Sequence, residues 1–340
     1  MISASTLYDY LQCPHRVWRD IYGPQEEKIK ETNDFVKLLW EKGIQHEKNI
    51  VSQLGDFVDI SEGTYEERYS RTLIEINNGT ELIYQGVLMA KDLIGIPDLL
   101  RKNQNGQYVP IDIKSGKAFE GAEGYEEDEG KPKKHYAVQL CLYNDLLGMH
   151  NLPRTDDGII IDNCGREVIY HLSEPIHKDA TQSWNTFYNS LKNEVALLQE
   201  NKFQNDPALA GVCKLCPWYY SCSQWVMKNN DLTRLFYIGR SVRDTLKEDL
   251  KIETTYNLLT IDIEKALKKK KNVRGFLSGI GEAKLKQAVQ RAKVLLNIKK
   301  PVAYNKIKFP KVKYELYLDI EDDPTQDFVY LHGIYLKESA

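Results

Sequence analysis

The sequence predicts an α/β protein, and three observations carry that prediction. Four β-type segments crowd into residues 72–114; helical stripes flank them at 33–54, 135–147 and 178–199; and a further pair of strands returns at 158–172. Taken in order, Ser5 is positioned to cap a first helix over 6–11, which must stop near Cys13-Pro14 because the residue before a proline resists helical angles. Phe35, Leu38, Leu39, Ile44 and Ile50 recur at roughly helical spacing and mark the second helix. Strands are expected at 72–76, 82–88, 93–101 and 108–114, then an acidic, glycine-bearing loop at 120–130. A helix over 135–147 ends at Gly148. Strands 158–162 and 167–172 are expected to pair, and the helix 178–199 leads into a cysteine-rich segment. Beyond about residue 230 the texture becomes basic and helical, and 315–336 reads as a β-hairpin around Asp322-Asp323-Pro324-Thr325.

Composition bounds what the chain does. A 42% hydrophobic share with 28% charged residues over 340 positions is that of a globular protein. No apolar run approaches the roughly 18 residues needed to span a bilayer, and Met1-Ile2-Ser3-Ala4-Ser5 lacks the regions of a signal peptide, so a cytoplasmic protein is expected. The net charge of −3 excludes a global field drawing the chain onto nucleic acid. Its distribution is more telling: between Lys265 and Lys313 basic residues crowd together with Glu282 as the sole acid, enough to neutralise phosphates locally. A solvated helix face is the alternative reading of that block.

The segment from Gly95-Ile-Pro-Asp98 to Ile111-Asp-Ile-Lys114 concentrates the chemistry. Asp112 and Lys114 stand two apart on a strand and leave the same face. If Gln104-Asn105-Gly106 forms a three-residue hairpin loop with Gly106 left-handed, Asp98 falls opposite Asp112 on that face; a two-residue turn would turn Asp98 away. Two carboxylates so placed are costly unless a cation neutralises them, and hard oxygen donors suit Mg2+ or Mn2+. Such an ion activates water, and Lys114 adds positive charge for the nucleophile and the transition state. His46, on the upstream helix, has an imidazole suited to completing the metal shell. Gln139 and Tyr143, four apart on the downstream helix, share a face from which to hold DNA or a water. Each of these features alone also fits ordinary turn or packing chemistry.

Taken together, His46, Gly95-Ile-Pro-Asp98, Asp112-Ile-Lys114 and Gln139-x-x-x-Tyr143 resemble the successive motifs of RecB-type nucleases within the PD-(D/E)XK class. The resemblance implies a restriction-endonuclease-like mixed sheet flanked by helices, and DNA as substrate. It also implies Mg2+ or Mn2+ at Asp98 and Asp112 with help from His46, and Lys114 in catalysis.

Six cysteines are present. Cys141 and Cys164 sit in apolar surroundings and are expected to be buried. Cys213, Cys216 and Cys222 give C-x2-C-x5-C, with Cys13 far upstream as a fourth thiol; in a reducing compartment such clustering points to metal, either zinc (with His15 as a possible substitute) or iron–sulfur. The spacing resembles the iron staple of AddB-type and CRISPR-associated RecB-like nucleases, which implies a [4Fe–4S] cluster on these four residues.

Farther on, Leu277-Ser-Gly279-Ile-Gly281 resembles a helix-hairpin-helix turn, which implies that Gly279 and Gly281 present amides to a DNA phosphate. Tyr317-Leu-Asp319-Ile-Glu321 resembles the first hairpin of a ribonuclease-H-like exonuclease, cut off before the rest of that fold. The expected organisation is a nuclease domain with its staple over 1–230, a basic helix-hairpin-helix region over 231–300, and the start of a ribonuclease-H-like domain over 301–340. The functional expectation is a deoxyribonuclease acting on single strands or ends in repair, recombination or defence, with a helicase as a possible partner. The competing expectation is a non-catalytic DNA-binding adaptor serving a helicase.

Overall fold

The computed structural model describes residues 1–29, 34–121, 130–177, 180–201, 205–301, 308–323 and 328–338. Residues 122–129 of the expected acidic loop, and Pro324 and Thr325 of the expected turn, lie outside the described residues. Two compact units share the chain: Met1–Gly23 with Thr32–Asn205, and Pro24–Glu31 with Asp206–Ala340.

The first unit runs α1 (Ala4–Gln12), α2 (Pro14–Tyr22), α3 (Asp34–Val51), β1 (Val58–Asp59), α4 (Tyr65–Asn78), β2 (Leu82–Tyr84), β3 (Leu88–Ala90), β4 (Leu93–Gly95), β5 (Leu99–Lys102) and β6 (Tyr108–Ile113). It continues with β7 (Phe119–Glu120), β8 (Lys131–Pro132), α5 (Lys134–Met149), β9 (Asp157–Ile161), β10 (Glu167–His171) and α6 (Trp184–Gln199). Six of these strands form one sheet in the order β1-β2-β5-β6-β9-β10, mixed because β1–β2 and β6–β9 are parallel while the other pairs are antiparallel.

Both faces of the sheet are covered. Leu100, Tyr108 and Ile160 join the larger core, in which α5 buries Leu140, Tyr143, Leu146 and Leu147. Leu99, Val109, Ile111, Ile113, Ile159 and Ile161 form the opposite face, against Ile50 and Val51 of α3. This two-residue alternation sets which side chains of β6 look toward α5. The restriction-endonuclease-like fold class expected from the sequence is the one observed: a mixed sheet flanked by helices, with a C-terminal β-hairpin.

Three local expectations are corrected. Residues 72–76 are not a strand but part of α4. Thr64 and Glu67 form a capping box at its start, Gly79 ends it at φ +76°, and Arg68, Thr72 and Ile76 bury one helical face. The first helix is capped by Ser3 rather than Ser5, its hydroxyl accepting from the Thr6 amide at 3.1 Å. Cys141 is buried as expected, but Cys164 is exposed, because it falls in the β9–β10 turn that the Asp162 carboxylate organises through the amides of Cys164 and Arg166.

The second unit carries α7 (Tyr219–Lys228), α8 (Arg240–Leu250), α9 (Ile263–Asn272), α10 (Glu282–Leu295), β11 (Tyr314–Asp323) and β12 (Phe328–Glu338). It has a core of its own around Leu232, Leu246, Leu258, Leu277, Ile280 and Leu285. Strands β11 and β12 pair antiparallel, with a bulge between Glu321 and Asp322. Among the described residues no helix is long and apolar enough to cross a membrane.

Candidate active site

The β5–β6 hairpin builds the site. Leu99 pairs with Ile111 and Lys102 with Tyr108, so continuing the register one step past β5 sets Asp98 opposite Asp112. The loop is three residues long: Asn103 and Gln107 face each other through the Asn103 amide (2.8 Å), and Gly106 takes φ +76°. Gly95, just upstream, is dictated by packing. A Cβ there would lie 2.7 Å from the Tyr143 ring and 2.8 Å from Leu146, so only glycine lets this segment approach α5.

Asp112 is 1% exposed. Its Oδ2 is ion-paired with Lys114 Nζ, and the Tyr143 hydroxyl stands 3.4 Å from its Oδ1. Asp98 accepts from the Ile113 amide through Oδ2 (2.7 Å) and from Gln85 Nε2 through Oδ1 (3.1 Å). Burial and the neighbouring Asp112 charge hold the Asp98 carboxyl well above the usual carboxylate range. Burial works against the charge on Lys114, but Asp112 and Asp98 outweigh it and raise its pKa. Lys114 Nζ also lies 5.6 Å from the centre of the Tyr136 ring.

Asp98, Asp112 and Lys114 therefore meet. His46 does not join them by any hydrogen bond or ion pair; it comes from the helix covering the opposite sheet face, and its Nε2 is 3.0 Å from the Asp162 carbonyl. The neighbouring Glu47 reaches in instead, its Oε1 accepting from Tyr84 Oη and Gln85 Nε2, each at 2.9 Å. Glu47 and Gln85 are the residues sequence reasoning missed. The one available signal was an acid beside His46 on the same helix. Gln85 left no such mark; its φ of +55° just before Gly86 shows only in the folded chain.

Gln139 and Tyr143 do share a helix face, Gln139 Nε2 donating to the Tyr143 hydroxyl at 2.6 Å. Tyr143, however, is 1% exposed and reaches the Ile96 carbonyl (3.1 Å) as well as Asp112. It braces the carboxylate from below and does not present a surface to substrate.

Cys13 separates α1 from α2 in the first unit. In the second, Cys213 sits in the turn Gly211–Leu215, Cys216 follows it, and Cys222 lies on α7. Gly279 (φ +69°) and Gly281, the residue before α10, belong to the turn joining α9 to α10, and Lys270 Nζ is bound there to the carbonyls of Leu277 (2.9 Å) and Ile280 (2.7 Å). Part of the basic block thus serves the turn itself.

Among the described residues no three His, Cys, Asp or Glu side chains stand together as a metal-holding group. The chemistry of Asp98 and Asp112 still fits a hard divalent ion. A buried carboxylate, Asp112, and a part-buried one, Asp98, face a single lysine, and Mg2+ takes one or two protein carboxylates and fills its other positions with water and substrate phosphate.

A search of curated proteins finds no match. A solved structure described as "Crystal structure of SSO0001" is similar at 16% identity over 56% of this chain and 97% of its own, with a TM-score of 0.25, too low to bear on fold or function. Residues 14–223, more than half of the chain and including the whole hairpin, match the PD-(D/E)XK nuclease superfamily. With Asp98, Asp112 and Lys114 gathered on one sheet face inside that matched segment, the chain belongs to the PD-(D/E)XK nuclease superfamily.

Proposed function

We propose that this protein is a divalent-metal-dependent deoxyribonuclease that hydrolyses phosphodiester bonds with Asp98, Asp112 and Lys114, acting as an exonuclease on single-stranded or end-containing DNA in repair, recombination or defence. The observation that carries the reading is a surplus of negative charge: two carboxylates across one hairpin, Asp112 buried and Asp98 part-buried, balanced by one lysine. Bound Mg2+ or Mn2+ would supply Lewis acidity toward the scissile phosphate and lower the pKa of the attacking water.

The chain's own residues do the rest. The Ile113 amide and Gln85 hold Asp98, Tyr143 holds Asp112, and both carboxylates are aimed before substrate arrives. Lys114 places its ammonium where charge develops on the phosphate oxygens. Glu47 adds acceptor capacity beside Asp98. His46 is proposed to assist through Nδ1, since an Nε2–H donated to the Asp162 carbonyl leaves that nitrogen as the acceptor. Gly279 and Gly281, in the turn before α10, are proposed to offer amides to a strand phosphate, and a helicase is a partner compatible with this role.

The test is a time course on end-labelled linear and on circular single-stranded DNA with Mg2+ or Mn2+. Metal-dependent loss of linear substrate, abolished by Lys114→Ala, is expected. Undiminished cleavage by that variant, or none by the wild type with either metal, overturns the reading.

The spacing of Cys13, Cys213, Cys216 and Cys222 supports a [4Fe–4S] cluster. Anaerobic purification followed by iron, sulfide and zinc analysis decides it: a colourless, zinc-bearing protein would replace the cluster with a zinc site.

A further inference from the structure

The end of the second unit's helical region holds a feature that the carboxylate site does not use. Leu235 and Ile238 are core residues, each 4% exposed, yet the two aromatics between them stand almost bare, Phe236 at 73% and Tyr237 at 74%. Tyr237 takes φ +66°, a region that costs a bulky side chain and is kept only where surrounding contacts impose it. Those contacts come from Arg291, which donates to the Phe236 carbonyl at 2.8 Å and lays its guanidinium 5.0 Å from the centre of the Tyr237 ring. The two rings meet edge-on with centroids 4.4 Å apart. Beside them opens a cavity of about 390 Å³ whose charged lining is Arg234, Arg291, Lys299 and Lys300, with no acid among the described residues that line it. The Arg234 guanidinium is held through Nη1 by the Asn230 side chain, and among the described residues its buried Nε has no hydrogen-bond partner.

We propose that Phe236 and Tyr237 form a stacking platform for the unpaired bases of a single-stranded nucleic acid, with Arg234, Arg291, Lys299 and Lys300 pairing its phosphates. A bare aromatic pair held on a strained backbone suits a flat, uncharged partner, and a rim of four cations suits a partner with repeating anionic charge. Single-stranded nucleic acid alternates these two chemistries along its length. Duplex DNA does not, because its base faces are already stacked. The choice of DNA as ligand rests on the nuclease reading, but binding is measured without metal and so fails or succeeds separately from cleavage.

The experiment is fluorescence anisotropy on the full chain in EDTA. It uses a labelled oligo-dT of about 12 nucleotides, an abasic strand of equal length, and a duplex. The dT strand is expected to bind about tenfold tighter than the abasic strand, and the Phe236→Ala/Tyr237→Ala double variant to lose that ratio while keeping its abasic affinity. Arg291→Ala should weaken both strands. Tyr237→Gly relieves the backbone and is expected to melt no lower than wild type while still losing the preference for bases, a pairing that a merely structural role would not give. Equal binding of dT and abasic strands, duplex binding as tight as dT, or a double variant with the wild-type ratio overturns the proposal. Because every binding arm is read in EDTA, absence of metal-dependent cleavage by the wild type would overturn the nuclease reading while a retained dT-to-abasic ratio leaves the stacking site standing.

Discussion

The two units each bury a carboxylate against basic side chains, and the difference in balance separates a structural site from a reactive one. In the second unit Asp231, 1% exposed, has Arg243 at 3.6 Å and Lys247 at 3.5 Å on one oxygen, and the amide and hydroxyl of Thr233 at 2.9 and 2.7 Å on the other. The one buried anion there faces two cations and takes two hydrogen bonds, the cations being shared only with the more exposed carboxylates of Asp244 (2.7 Å from Arg243) and Asp206 (3.5 Å from Lys247). In the first unit two anions, Asp98 and Asp112, share one cation, and Asp98 is driven toward its protonated form. Burying an unbalanced charge is expensive unless something else supplies the missing counter-charge. The lack of balance is thus the physical mark of a place meant to be completed by a ligand.

That contrast can be broken in several ways. The largest effect is expected at the balanced site: Arg243→Ala leaves Asp231 short of its buried partner and should cost about 3–5 kcal/mol in urea unfolding, with any loss of activity following only from unfolding. Lys114→Ala should lower single-turnover cleavage roughly 10²–10³-fold at a temperature where the variant is still folded, and because it strips the buried Asp112 of its ion-pair partner it should also lower the unfolding midpoint in EDTA. Gly95→Ala tests whether the hairpin must approach α5 so closely. Its Cβ would strike Tyr143 and Leu146, and a loss of about 1–3 kcal/mol is expected in thermal or urea unfolding.

Asp98→Asn sharpens the electrostatic side. Because the folded chain raises the Asp98 pKa, both states are protonated below the ordinary carboxylate range and the group costs nothing there. Stability is lost as pH rises through the folded pKa. The variant should therefore melt higher than wild type in EDTA at neutral pH, by about 2–4 °C for each kcal/mol relieved, and the gain should vanish at low pH. It should also lose any stabilisation that added Mn2+ gives the wild type. The smallest effect is expected at Arg101, whose two nitrogens meet the Glu167 carboxylate at 2.7 Å on an exposed part of the sheet; Arg101→Ala should cost below about 1 kcal/mol.

Much of the first unit was legible because its signals are local. A two-residue period placed Asp112 and Lys114 on one face, and a single glycine set the length of the hairpin loop, hence the position of Asp98. Cases where a nearby cap outweighed side-chain pattern were misread: 72–76 looks like a strand until Thr64, Glu67 and Gly79 are seen to close a helix around it. Cys164 was misjudged for a related reason, since the turn at Asp162 lifts it out of apolar company. Gln85 and the brace from Tyr143 were beyond reach, and Glu47 showed only as an acid beside His46, because they depend on how a helix and a loop distant in sequence dock against the sheet. Phe236 and Tyr237 were invisible for the opposite reason: aromatic residues in a chain rich in them ordinarily signal core, and only their exposure in the folded chain reveals otherwise.

The short turn at Gln104–Gly106 has a consequence for how such a protein can vary. Side chains of a strand swap sheet faces with every single-residue slip. A turn changed by one position would, wherever the extra residue is drawn into the strands rather than absorbed by the loop, carry one carboxylate to the α3 side and leave the other toward α5. Related chains should therefore be free in the identity of Gln104 and Asn105, keep a residue that tolerates left-handed angles where Gly106 stands, and vary little in the number of tip positions.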